Sequence, residues 1–120
     1  MGADLRIIKT GREFSDPYNV FGVFAGLQLS WWDLNEEFKK HKWLSNGILK
    51  LSGVKYLYNL VKQRNIQTEG LRREYERDKP YMKRRITFKQ LLKNISNRKA
   101  LLLNFLEEAI KNKSAIEWSV

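Results

Sequence analysis

The sequence predicts a mostly α-helical fold of four to five helices, closed by a small two-stranded β element that pairs the N- and C-terminal segments. Three observations carry this. Apolar residues recur at intervals of three and four through most of the chain. Only the two ends read as strands, and two isolated strands are satisfied by pairing with each other. A length of 120 residues, 42% hydrophobic with 7 Gly and 2 Pro, suits a single domain over residues 1–120 with one ordinary core.

Leu5-Arg6-Ile7-Ile8-Lys9-Thr10 is short and β-branched, a strand closed by Gly11. Ser15 to Asn19 is turn chemistry, with Asp16 placed to cap a helix whose first residue is Pro17. Val20, Phe21, Phe24 and Leu27 or Gln28 follow at helical spacing, and Gly22 and Gly26 among them permit close packing. Ser30 caps the next helix, with Trp31, Leu34 and Phe38 on one face and Glu36, Glu37, Lys39 and Lys40 on the other.

Asn46-Gly47 marks a turn. Ser52 then caps a helix that turns Val54, Leu57, Tyr58 and Val61 toward the core and stops at Asn65. Residues 66–79 are ambiguous: Gly70 interrupts, yet Leu71 and Tyr75 are one turn apart. Pro80 opens another helix at its first position, with Met82, Ile86, Phe88 or Lys89, and Leu91-Leu92 on the buried side. Ser96 caps a last helix bearing Leu101, Leu102, Phe105, Leu106, Ala109 and Ile110. The tail Ala115 to Val120 alternates like a half-buried edge strand. The expected core is Val20, Phe24, Trp31, Leu34, Val54, Leu57, Val61, Leu91, Leu101, Phe105 and Ile110.

Composition narrows the chemistry. With no Cys, thiol catalysis, disulfide scaffolds and cysteine metal sites are excluded. With one His as well, no metal and no cofactor is expected. The opening residues lack a basic segment followed by an apolar one, and Arg6 stands where a myristoylation signal needs Ser or Thr. The apolar stretch Val20 to Leu29 is far short of the ~20 residues a membrane span needs. A cytoplasmic protein without membrane contact is therefore expected.

The net charge is +10, which favours polyanionic or acidic partners. Residues 72–99 hold eleven Lys and Arg against three acids, a surplus of eight and nearly all of the total. Arg72, Arg73, Arg77, Lys83, Arg84, Arg85, Lys89 and Lys93 are the candidate contacts to nucleic acid or an acidic partner. On a helix over 80–95, Arg85, Lys89 and Lys93 would form one cationic ridge able to neutralise phosphates and release counterions. Tyr75 and Tyr81 flank this stretch as stacking rings. The plain alternative is a solvated helix face. No helix-turn-helix, zinc-finger or RNA-recognition signature is present.

A second cluster lies in the first third of the chain. Asp4, Asp16, Tyr18, Asn19, Trp31 and Trp32 offer rings for stacking and carboxylates and amides for orientation, as a ligand pocket does. Caps, turns and core packing explain the same residues. Catalytic signals are weak. His41 sits in a basic run, and Glu37-Phe38-Lys39 resembles half of a nuclease motif but falls on a helix. No catalytic residue is assigned.

Met1-Gly2-Ala3-Asp4, Asp16-Pro17-Tyr18-Asn19, Leu29-Ser30-Trp31-Trp32 and the tail Ile116-Glu117-Trp118-Ser119-Val120 occur in this order. Together they resemble a family of small uncharacterised proteins of bacteria and their phages. Trp118 departs from that pattern, where a smaller or polar residue is expected. The resemblance implies a phage or mobile-element protein in a bacterial cytoplasm. In that setting a basic, non-enzymatic domain suits an inhibitor or modulator of a host nucleoprotein or defence complex, in the manner of anti-CRISPR proteins. The leading expectation is thus a binding protein for nucleic acid or a nucleoprotein host complex. The runner-up is a small-molecule or nucleotide pocket, or a hydrolase, around Asp16, Tyr18, Asn19 and Trp32. A homo-oligomeric structural protein is the third.

Overall fold

Ala3, Leu5 and Ile7 alternate with Gly2, Asp4 and Arg6, the period-two pattern of a half-buried strand. They form β1 (Gly2–Ile7) in a computed structural model that describes residues 2–120; Met1 of the opening motif lies outside these. Around β1 lies a five-stranded antiparallel sheet made with β2 (Glu13–Pro17), β3 (Leu44–Ser45), β4 (Ile48–Leu49) and β5 (Ile116–Ser119), in the order β2-β1-β5-β4-β3. Five helices accompany it: α1 (Val23–Gly26), α2 (Trp31–Lys40), α3 (Leu51–Gln63), α4 (Thr68–Asp78) and α5 (Phe88–Lys111).

The fold is therefore α/β, not mostly α with a two-stranded element. The expected pairing of the termini exists, with Leu5 opposite Trp118 and Ile7 opposite Ile116. Three strands were hidden in the sequence. Ser15, Asp16 and Pro17 are turn formers by composition, yet they pair with Asp4, Ala3 and Gly2. β3 and β4 are two residues each, too short for any alternation to register. Their signal is the Asn46-Gly47 turn, which holds both residues at positive φ (53° and 73°) as a tight hairpin requires. The first strand also lies three residues earlier than expected and ends at Ile7.

Register assigns the two faces of the sheet. Phe14, Leu5 and Trp118 share one inward row; Ile7, Ile116, Leu49 and Leu44 share another. The opposite face carries Asp4, Arg6, Glu13, Ser15, Glu117 and Ser119, a polar surface suited to water.

Helix boundaries follow their caps. The Ser30 hydroxyl accepts from Asp33 N at 3.3 Å and starts α2. Lys50, not Ser52, occupies the cap position of α3. The ambiguous 66–79 stretch is helix α4, with Leu71 and Tyr75 buried one turn apart. The two helices expected over 80–95 and after Ser96 are a single 24-residue helix, α5. Pro80 lies in a 3₁₀ turn, Lys79–Tyr81. The true start is a capping box: Thr87 Oγ1 accepts from Gln90 N at 3.1 Å, and Gln90 Oε1 accepts from Thr87 N at 2.9 Å. Ser96 is internal to the helix.

At 1.5 Å per residue α5 runs about 36 Å. Its last two-thirds bury Leu102, Phe105, Leu106 and Ala109 in the main core with the sheet, α1, α2 and α3. Its first third belongs to a second cluster of Val20, Leu71, Tyr75, Leu91 and Ile95. Of the expected core, Leu101 is 50% exposed and Trp31 and Ile110 are half-buried. The inward line of α5 runs through Leu102, Phe105, Leu106 and Ala109, which places Leu101 at its edge.

Candidate nucleic-acid interface

The second cluster sets the geometry of the basic stretch. α4 buries Leu71 and Tyr75 against α5, so its remaining faces turn to water. Arg72, Arg73, Arg77, Lys83, Arg84, Arg85, Lys89 and Lys93 are all exposed. All eight sit on the three segments that enclose this cluster: α4, the 82–87 connection and the start of α5. The expected ridge is not one helix face. Lys89 and Lys93 are one turn apart on α5, whereas Arg85 precedes the helix in the connection. The bases are instead spread over the three segments that enclose the second cluster.

Two of the eight have acidic neighbours. Arg72 lies 3.9 Å from Glu76, and Arg77 3.2 Å from Asp78. Arg72 also stacks over the Phe88 ring at 4.4 Å. Arg73, Lys83, Arg84, Arg85, Lys89 and Lys93 make no ion pair among the described residues. Of the two expected stacking rings, Tyr81 is 86% exposed. Tyr75 is buried, and its hydroxyl donates to Ile86 O at 2.5 Å, so it anchors the basic connection rather than facing a base.

The polar–aromatic cluster divides into three fates. Tyr18, Asn19, Trp31 and Trp32 line a groove of about 690 Å³ with Ser30 and Asn35. Trp32 is 73% exposed at this groove, because α2 turns Leu34 and Phe38 inward. Asp4 lies on the far face of the sheet, where its carboxylate accepts from the Ser15 hydroxyl at 2.7 Å. Asp16 is on the inward face and 2% exposed.

Asp16 does cap a helix, but not at Pro17. Its carboxylate accepts from Val23 N at 2.8 Å and Phe24 N at 3.3 Å, the first turn of α1. Arg98 of α5 donates to Oδ1, the oxygen that also accepts from Val23 N, at 3.0 Å. Burial pushes the Asp16 carboxyl above its ordinary 3.8, and the two backbone N–H groups and Arg98 oppose that push. Gly22 makes the approach feasible, since a Cβ there would meet Asp16 Oδ2 at 2.8 Å. Gly26 similarly lets α1 settle against Ile95. Both glycines thus serve close packing, as expected.

The groove's third wall was not legible as part of a site. Glu74, Arg77 and Asp78 of α4 line it at i, i+3 and i+4, the spacing of one helix face. The basic stretch and the aromatic cluster, separate in sequence, therefore share an edge at Arg77. Asn35 is a second unexpected member; its Oδ1 accepts from Trp118 Nε1 at 2.6 Å.

His41 and Glu37 pair at 2.9 Å on the exposed end of α2, and Phe38 between Glu37 and Lys39 is buried. Among the described residues no cluster of three His, Asp or Glu side chains is placed to hold a metal ion. No helix of these residues is long and apolar enough to cross a membrane. No family model, curated protein or solved structure matches this chain.

Proposed function

We propose that this chain is a nucleic-acid-binding protein, acting without catalysis, that grips phosphates with the cationic end around the second cluster. The observation behind this reading is the placement of six exposed bases without acidic partners on α4, the 82–87 connection and α5. Such side chains are held by neither burial nor pairing, and a polyanion supplies the charge they lack. Exposed Tyr81 beside them adds a ring on which a base can stack.

The test is reversal of Arg85, Lys89 and Lys93 to Glu, followed by binding of a labelled oligonucleotide. The expected result is a large loss of affinity with an unchanged melting temperature, since all three residues face water. Unchanged affinity in the triple variant would overturn the reading. Capture of a stoichiometric protein instead of nucleic acid, retained at high salt, would also overturn it and favour an acidic host complex.

A further inference from the structure

The groove beside the cationic end has a composition that a phosphate site would not have. Glu74 and Asp78 of α4 bring two carboxylates to its wall, against the single guanidinium of Arg77. Phosphate is disfavoured there. The rest of the lining suits a flat, polar-edged ring. The Trp32 indole is largely exposed, and the half-exposed Tyr18 ring, edge-on to Trp31 at 3.8 Å between centroids, lines the same groove. Asn19 and Asn35 each use the side-chain oxygen within the protein, accepting from Phe21 N and Trp118 Nε1. Their Nδ2 groups donate to nothing among the described residues. Trp31 Nε1 is the buried side-chain polar atom of these residues without a hydrogen-bond partner. The amides of Asn19 and Asn35, the carboxylates of Glu74 and Asp78 and the open Trp32 face thus line one groove, the complement of a nucleobase edge and face.

We infer that this groove holds an unpaired nucleobase of single-stranded nucleic acid, stacked on Trp32, with its edge read by Asn19, Asn35, Glu74 and Asp78. The inference rests on the nucleic-acid reading and makes it more specific. Arg77, paired with Asp78, joins the groove to the basic segments, and Arg73, one turn away on the same helix and without an ion pair among the described residues, offers positive charge to a phosphate flanking the held base. The volume, about 690 Å³, falls within the roughly 300–1,000 Å³ of small-ligand sites and exceeds what one base fills. A base in a duplex is stacked and paired, and its edge is not available to the groove without flipping. Single strands should therefore bind more tightly than duplexes of the same sequence.

The experiment titrates the full chain with a labelled single strand and with its duplex. It compares wild type, Trp32→Ala and Trp32→Phe, with melting temperatures alongside. Loss of a stacking ring under one base should make Trp32→Ala bind single strands about five- to 150-fold more weakly. Duplex binding should hardly change, and the salt dependence should stay as in wild type because the phosphate contacts are intact. Trp32→Phe keeps a ring face and should restore most of the affinity. Equal affinity of wild type for single strand and duplex would overturn the inference while leaving the phosphate-binding reading intact. So would a Trp32→Ala variant that binds single strands like wild type. Failure of wild type to bind either form would overturn both.

Discussion

Arg98 on α5 donates to the buried carboxylate of Asp16 on β2, 82 positions away in the chain. The same carboxylate receives the first two N–H groups of α1. One side chain therefore ties the sheet edge, a four-residue helix and the longest helix together. A helix that short does not persist by itself, because nucleation is unfavourable and propagation has no length to offset it. Asp16 supplies what α1 lacks, and α1 in turn forms one wall of the groove through Phe24 and Ala25.

Replacing Asp16 with Ala should accordingly destabilise the fold by about 3 kcal/mol, read as a shift in the urea midpoint. The loss leaves two buried N–H groups unpaired and strips Arg98 of its counter-charge. A change within measurement error would contradict the assignment of Asp16 as a structural cap.

Leu101 and Leu102 are adjacent in sequence and opposite in fate. Leu102 is fully buried in the main core, whereas Leu101 is half-exposed. Leu102→Ala should cost roughly 2–5 kcal/mol, and Leu101→Ala much less. Equal losses would mean that α5 is rotated from the position described.

Gly26 packs against Ile95 so closely that an added methyl collides with the Ile95 side chain. Gly26→Ala should destabilise the protein by about 1–3 kcal/mol as overpacking, and that cost should shrink in an Ile95→Ala background, which removes the Cγ2 that the new methyl meets. A stabilising Gly26→Ala, as expected for an unconstrained helix position, would disprove the close approach of α1 to α5.

On the outer face of the sheet, Arg6 Nε donates to Glu117 at 2.8 Å. That hydrogen bond holds the Glu117 carboxyl below its ordinary 4.5, against an opposing push from desolvation. A depressed carboxylate stabilises the fold above the unfolded pKa, and the contribution is lost as pH falls through the folded one. The melting-temperature gap between wild type and Glu117→Gln should thus be widest above about pH 4.5 and shrink on further acidification. A gap that widens below that pH would contradict the pairing.

The sequence disclosed the elements whose signal is long or chemically distinctive. Ser30 with Asp33, the Val54–Leu57–Val61 stripe and the alternating tail are each found where their pattern places them. Elements set by tertiary contact were opaque. Ser15, Asp16 and Pro17 become a strand only because β1 offers the partner edge. β3 and β4 exist by virtue of a two-residue turn and the neighbouring β5. Thr87 and Gln90 form a capping box whose spacing was visible, yet Pro80 was the louder helix signal.

The site was half legible for the same reason. Tyr18, Asn19, Trp31 and Trp32 cluster in sequence and in space. Glu74, Arg77 and Asp78 reach the same groove only through the packing of Leu71 and Tyr75 against α5. Asp4 and Asp16, alike in sequence, fall on opposite faces of the sheet because β1 and β2 pair with Asp4 facing Ser15 and Asp16 facing Ala3.

The most direct measurement is the salt dependence of oligonucleotide affinity for the wild-type chain. Six unpaired bases contacting a single strand correspond to a slope of roughly −4 in log K against log salt concentration. A slope near that value, reduced by about two in the Arg85, Lys89 and Lys93 triple reversal, is the expected result. An affinity that does not respond to salt, or a slope equal in the wild type and the triple variant, would contradict phosphate binding by the cationic end.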